Sequence, residues 1–169
     1  MSAIHSILLI AAMMCMAFVI VEDVLFFRVL NRIPIALAIL FFARAALGGI
    51  GPDVLWPDIL WHVGVAALVL ALGFGMHAFN VMGGGDIKLI VAVSLWAGPS
   101  QILQYLFLMA VVGGIWTVLL FGLRHLLAAL PGFASWADRR PRARVLRRGE
   151  PIPYGVAIAG AFMIVFWRF

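Results

Sequence analysis

Val81-Met82-Gly83-Gly84-Gly85-Asp86-Ile87-Lys88-Leu89 is a short glycine-rich interruption between two apolar runs, 59–78 and 87–97. Glycine lets backbones approach closely and take torsions that other residues avoid. The stretch therefore reads as a turn from which the chain re-enters an apolar phase. An acid at the mouth of an apolar helix is costly, which makes Asp86 a candidate functional group. A second acid, Asp23, closes the first apolar run.

The rest of the chain fits that setting. It has 169 residues, of which 66% are apolar and 11% charged, with a mean hydropathy of +1.15. These values belong to an all-α polytopic membrane protein. A single transmembrane domain over 1–169 is expected, because no stretch is polar and long enough to fold apart. The net charge of +5 lies in loops between apolar segments, which argues against a nucleic-acid partner and for the lipid bilayer. The one cysteine, Cys15, lies inside the first apolar run. It has no intramolecular disulfide partner and belongs to no Cys-x-x-Cys metal signature. Met1-Ser2-Ala3-Ile4-His5 lacks the basic flank of a secretory signal, so the first run is expected to be a retained helix.

A membrane span needs roughly 20 apolar residues. The candidates are 3–21, 33–47, 59–78, 87–97, 102–123 and 152–167, which predicts six transmembrane helices. Gly48-Gly49-Ile50-Gly51-Pro52-Asp53 and Gly98-Pro99-Ser100 mark breaks. In this reading alternate loops hold Arg28, Arg32, Lys88, Arg124, Arg139, Arg140, Arg142, Arg144, Arg147 and Arg148, against Arg44 and Arg168 opposite. That asymmetry puts the first set in the cytoplasm and both termini outside. Asp23 and Asp86 then share the cytoplasmic side, and Asp53 and Asp58 lie on the other. The 12 residues from Ile87 to Gly98 make about 18 Å of helix, against a hydrocarbon core of about 30 Å. Asp86 is therefore expected to be recessed in a wet, cytoplasm-open pocket around 83–86.

Two carboxylates on one side suit hydrolysis of a peptide bond. One, ionised, takes a proton from a shared water, and the other, protonated, polarises the scissile carbonyl. Close like charges resist joint ionisation, so the pair titrates as a unit. Glu22 competes with Asp23, because neighbouring helical residues point about 100° apart and one of them is expected to face the pocket. The same acids also fit a proton-coupled transporter or a catalytically inactive assembly factor. Gly83, Gly84 and Gly85 offer backbone to an extended substrate strand. Lys88 reads as an interfacial cation, and 139–148 as a basic anchor against anionic lipid. His62 and His77 lack partners with metal-ligand spacing. Trp56, Trp61, Trp136 and Trp167 suit membrane interfaces, and Asn80 and Tyr154 are candidate hydrogen-bonders near the pocket.

At these residues the chain resembles the type IV prepilin peptidases, most nearly the small class serving tight-adherence (Flp-type) pili. Three blocks carry the resemblance. Asp23-Val24-Leu25-Phe26-Phe27-Arg28-Val29-Leu30-Asn31-Arg32 matches a block that opens with aspartate, with Leu30 where proline is usual. Ile33-Pro34-Ile35 offers a competing register, but it sets the aspartate four residues too far away. Gly83-Gly84-Gly85-Asp86-Ile87-Lys88-Leu89 fits Gly-x-Gly-Asp-x-Lys-Leu, and Ile152-Pro153-Tyr154-Gly155-Val156-Ala157-Ile158 resembles the run opening the last helix. The resemblance implies that Asp23 and Asp86 are the catalytic pair of an aspartyl endopeptidase. Its partner would be a prepilin or pilin-like precursor, whose short basic leader is removed at the cytoplasmic face of the bacterial inner membrane. Larger relatives carry a four-cysteine zinc domain that has no counterpart here, so no metal and no cofactor is expected.

Overall fold

Buried residues in α1 (Ala3–Phe26) fall at Leu9, Ala12, Met16, Val19 and Asp23, with Glu22 beside the last. Alternating steps of three and four put them on one face of the helix. Asp23 thus continues a core-facing stripe rather than ending the helix in open solvent.

A computed structural model describes residues 3–48 and 56–167. Among these, the chain is entirely helical or irregular. After α1 come α2 (Arg32–Ala46), α3 (Trp56–Ala78), α4 (Gly84–Ala128), α5 (Phe133–Asp138), a 3-10 turn (Pro141–Leu146) and α6 (Gly155–Phe166). Asp53, Arg168, the Trp56 side chain and the 49–53 part of the expected break lie outside what is described. α4 packs against α2, α3 and α6, and α1 against α2 and α6. α6 is covered almost all round, with Ala157, Ile158, Ala159, Ala161 and Phe162 fully buried. It is therefore a core helix, not a lipid-facing one. Close approach of α4 and α6 depends on small residues. A Cβ on Gly113 would lie 3.2 Å from the Ala157 Cβ, and one on Gly160 3.2 Å from Val112.

The expectation of six transmembrane helices is corrected. Among the described residues, three helices are long and apolar enough to cross a membrane, within Ala3–Phe26, Asp58–Ala78 and Gly84–Ala128. α2, with 15 residues, and α6, with 12, fall short of the roughly 20 needed. The expected fourth and fifth segments both fall in α4, whose helical run is broken at Gly98 by non-helical torsions, so that two helical stretches meet at the expected break. The placement of both termini outside was built on six spans and falls with them.

The kink has a specific cause. Pro99 has no N–H to give Leu95, four residues back, and its ring crowds that carbonyl. Gly98 takes φ 56°, ψ −170°, a region that side chains avoid. The freed Leu95 carbonyl accepts from His62 Nδ1 of α3 at 2.6 Å. In an apolar phase such a carbonyl has to be satisfied by a neighbour, and this bond assigns His62 a structural part. A Cβ on Gly98 would strike the His62 ring. Gly98→Ala should therefore cost about 1–3 kcal/mol from backbone strain alone, and more from the displaced histidine. A lowered thermal midpoint in detergent checks this, and an unchanged midpoint would contradict the account of the kink.

Candidate functional site

Asp23 and Asp86 are each held at the start of a helix, where unpaired N–H groups and the helix dipole favour negative charge. Gly83 is the N-cap of α4, with φ −68° and ψ 140°. Asp86 therefore falls in the first turn of α4, where it is half-buried. Asp23 comes from α1 but meets the N-terminus of α6. The Gly155 N–H donates to Asp23 Oδ2 at 2.6 Å, and the Val156 N–H also bonds to this carboxylate. Asp23 is only 5% exposed. The two acids are close enough for their charges to interact. Helix packing alone brings them together, since they belong to different helices.

Glu22 is buried as well. Its partner differs: Glu22 Oε2 pairs with Arg28 Nε at 3.1 Å. Glu22 is thus committed to an ion pair, while Asp23 is held by backbone amides.

The three glycines of the turn are not equivalent. Gly83 is exposed. A Cβ on Gly84 would make ordinary contact with His77 at 3.6 Å, and one on Gly85 would press on Val29 Cβ at 3.3 Å. The last glycine therefore serves close packing of α4 against the α1–α2 connection. His77 Nδ1 bonds to the Met82 carbonyl at 3.0 Å, which ties the turn to the end of α3. Asn80 is exposed at φ 56° in that turn, and Tyr154 packs over Gly113. Lys88 is exposed and donates to Asn31 Oδ1 at 3.1 Å. A cavity of about 260 Å³ adjoins this end, lined by Met76, Met82, Ile87 and Tyr154 among others. It is apolar, and neither acid lines it. Among the described residues no cluster of three His, Cys, Asp or Glu is arranged to hold a metal ion.

The basic stretch 139–148 is folded rather than a free loop. Arg144 pairs with Glu150 at 2.7 Å and Arg147 with Asp138 at 3.6 Å. Arg144 also lies 5.0 Å over the Phe27 ring at the end of α1. Trp136 stacks under Arg140 at 4.9 Å.

Sequence reasoning missed Arg124, which it counted among loop charges. Arg124 lies within α4, is 6% exposed, and donates to the carbonyls of Val145 at 2.8 Å, Glu150 at 2.6 Å and Pro151 at 2.9 Å. It fastens the segment that delivers Gly155 to Asp23. A lone arginine between apolar residues carries no pattern that separates such a clamp from a topological charge. Removing it leaves three carbonyls short of a donor. Arg124→Gln should cost about 2–4 kcal/mol, and Arg124→Lys should recover part of that loss. Thermal unfolding in detergent reads both, and equal midpoints for wild type and Arg124→Gln would remove the clamp.

The fold and the paired acids define a multi-pass, all-α membrane protein with carboxylates gathered at one end of its helices. The family model described as "Type IV leader peptidase family" matches residues 8–118, and the chain belongs to that family. The matched region contains Asp23 and Asp86 and stops before Arg124 and α6. Membership supports a peptidase function of the intramembrane aspartyl kind in general terms. No curated protein and no solved structure matches the chain.

Proposed function

We propose that this protein is an aspartyl endopeptidase that removes the leader of prepilins or pilin-like precursors, and that Asp23 and Asp86 share the attacking water. The carrying observation is the approach of two carboxylates from separate helices in a chain of the leader peptidase family. One carboxylate takes a proton from water while the other, protonated, hydrogen-bonds the scissile carbonyl. The proton then passes to the leaving amine. Exposed Gly83 backbone is the first contact for the extended leader, with Gly84 and Gly85 shaping the turn. The precursor's apolar helix packs laterally in the bilayer.

The small Flp-pilus class without a zinc domain is the best fit to the three sequence blocks. The protein resides in the bacterial inner membrane with the acids facing the cytoplasm. Arg28, Lys88 and Arg144 lie at the same end of the helices as the acids, which supports that orientation. Co-expression with a Flp-type prepilin tests the proposal. The pilin recovered from membranes should have the mass of the leaderless chain. Precursor that stays full length beside well-expressed wild-type protein would replace the peptidase reading with a binding role.

A further inference from the structure

About 12 residues of α4 separate Asp86 from Gly98, or roughly 18 Å of helix. At the far end lies a cavity of about 160 Å³ that the peptidase chemistry does not use. Arg44, His62, Trp96, Ser100 and Gln101 line it. Arg44 comes from the last turn of α2, and its guanidinium sits 5.6 Å over the Trp96 ring. Trp96 is fixed in turn by donating to the Leu37 carbonyl at 3.0 Å. The Arg44 Nε is fully buried and has no hydrogen-bond partner among the described residues.

A guanidinium held by an aromatic face, with a buried donor left unmade, is an unfinished site, because an unsatisfied buried polar group costs about 1–3 kcal/mol. The His62 Nδ1 is spent on the Leu95 carbonyl. The remaining side-chain donors among the lining residues are the Arg44 guanidinium, the Ser100 hydroxyl and the Gln101 amide. An arginine fork with two neutral donors matches an oxyanion that accepts from several directions. The volume holds a few waters at about 30 Å³ each, which suits a phosphoryl group and excludes a nucleotide.

We propose that this cavity binds a phosphoryl oxyanion, with Arg44 as its main ligand. The group arrives either on a phospholipid or as free phosphate.

Thermal unfolding of the purified, delipidated full chain tests this. The probes are phosphatidylglycerol, a diacylglycerol with the same acyl chains, and inorganic phosphate. The proteins are wild type, Arg44→Gln and the double variant Ser100→Ala/Gln101→Ala. Phosphatidylglycerol should raise the wild-type midpoint by about 3–6 °C. The shift should vanish in Arg44→Gln and shrink in the double variant, and diacylglycerol should give none. A matching shift with inorganic phosphate identifies the free ion as a ligand, and its absence identifies the lipid headgroup. Equal shifts in all three proteins, an equal shift with diacylglycerol, or no shift from either phosphate source would overturn the proposal. Should Arg44→Gln fail to fold, the double variant decides alone. None of these readouts depends on peptide cleavage.

Discussion

Asp23→Asn and Asp86→Asn should each lower leader cleavage by roughly 1,000-fold or more, with protein levels in the membrane unchanged. An amide neither takes a proton from water nor gives one to the leaving amine, and positioned acid–base groups contribute on the order of 100- to 10,000-fold each. The Asp23 bond accepted from the Gly155 N–H survives in the asparagine, provided the amide oxygen takes that place. The fold should therefore persist. Glu22→Gln is the matched control. It is also buried but pairs with Arg28, so cleavage should fall only a few-fold through the loosened end of α1. Cleavage by quantitative mass spectrometry of the pilin separates these outcomes. Comparable losses in all three variants would mean that burial of charge at this end of the helix, not the Asp pair, controls the reaction.

The second large effect is expected at Gly155. A Cβ there would lie 2.7 Å from Asp23 Oδ2 and 3.1 Å from Val19 Cγ1. Both neighbours belong to the buried face of α1, and the nearer one is the carboxylate oxygen itself. Gly155→Ala must push α6 from α1 or turn Asp23 off its amides. A displacement of about 1 Å at a reacting group costs on the order of 100-fold. Cleavage should therefore drop about that much, by a fall in kcat more than a rise in KM. Gly114→Ala makes the comparison fair. Nothing lies within 4 Å of its Cβ position, and alanine is the better helix former by about 1 kcal/mol, so activity should be kept. Full activity in Gly155→Ala would contradict the assigned contact between α6 and Asp23.

The helices were legible where an apolar run was long and ended in a polar turn. α1 and α3 follow directly from their sequences, and the glycine turn before Asp86 marks the start of α4. The break at Gly98-Pro99 was legible too, since Gly98 takes non-helical torsions there. The neighbour that satisfies the freed Leu95 carbonyl, His62, lies 33 residues away and could not be read from the sequence. α5 and the 3-10 turn were hidden by a basic stretch in which Arg144 pairs with Glu150 and Arg147 with Asp138. At the site, the two acids could be read from their glycine and helix-end settings. The amides that hold Asp23 could not be read from periodicity, since Gly155 is 132 residues away. Only the Pro153-Tyr154-Gly155 block, through resemblance, hinted that the last helix belongs to the site.

The central claim is that Asp23 and Asp86 act as one unit on a single water. Purified protein reconstituted in liposomes, given a synthetic Flp-type prepilin, tests it most directly through a double-mutant cycle. Two residues that share one step lose their whole contribution when either is removed. The account predicts that the Asp23→Asn/Asp86→Asn double variant cleaves no more slowly than either single variant. Multiplying losses in the double variant, or cleavage that survives either single change, would contradict it.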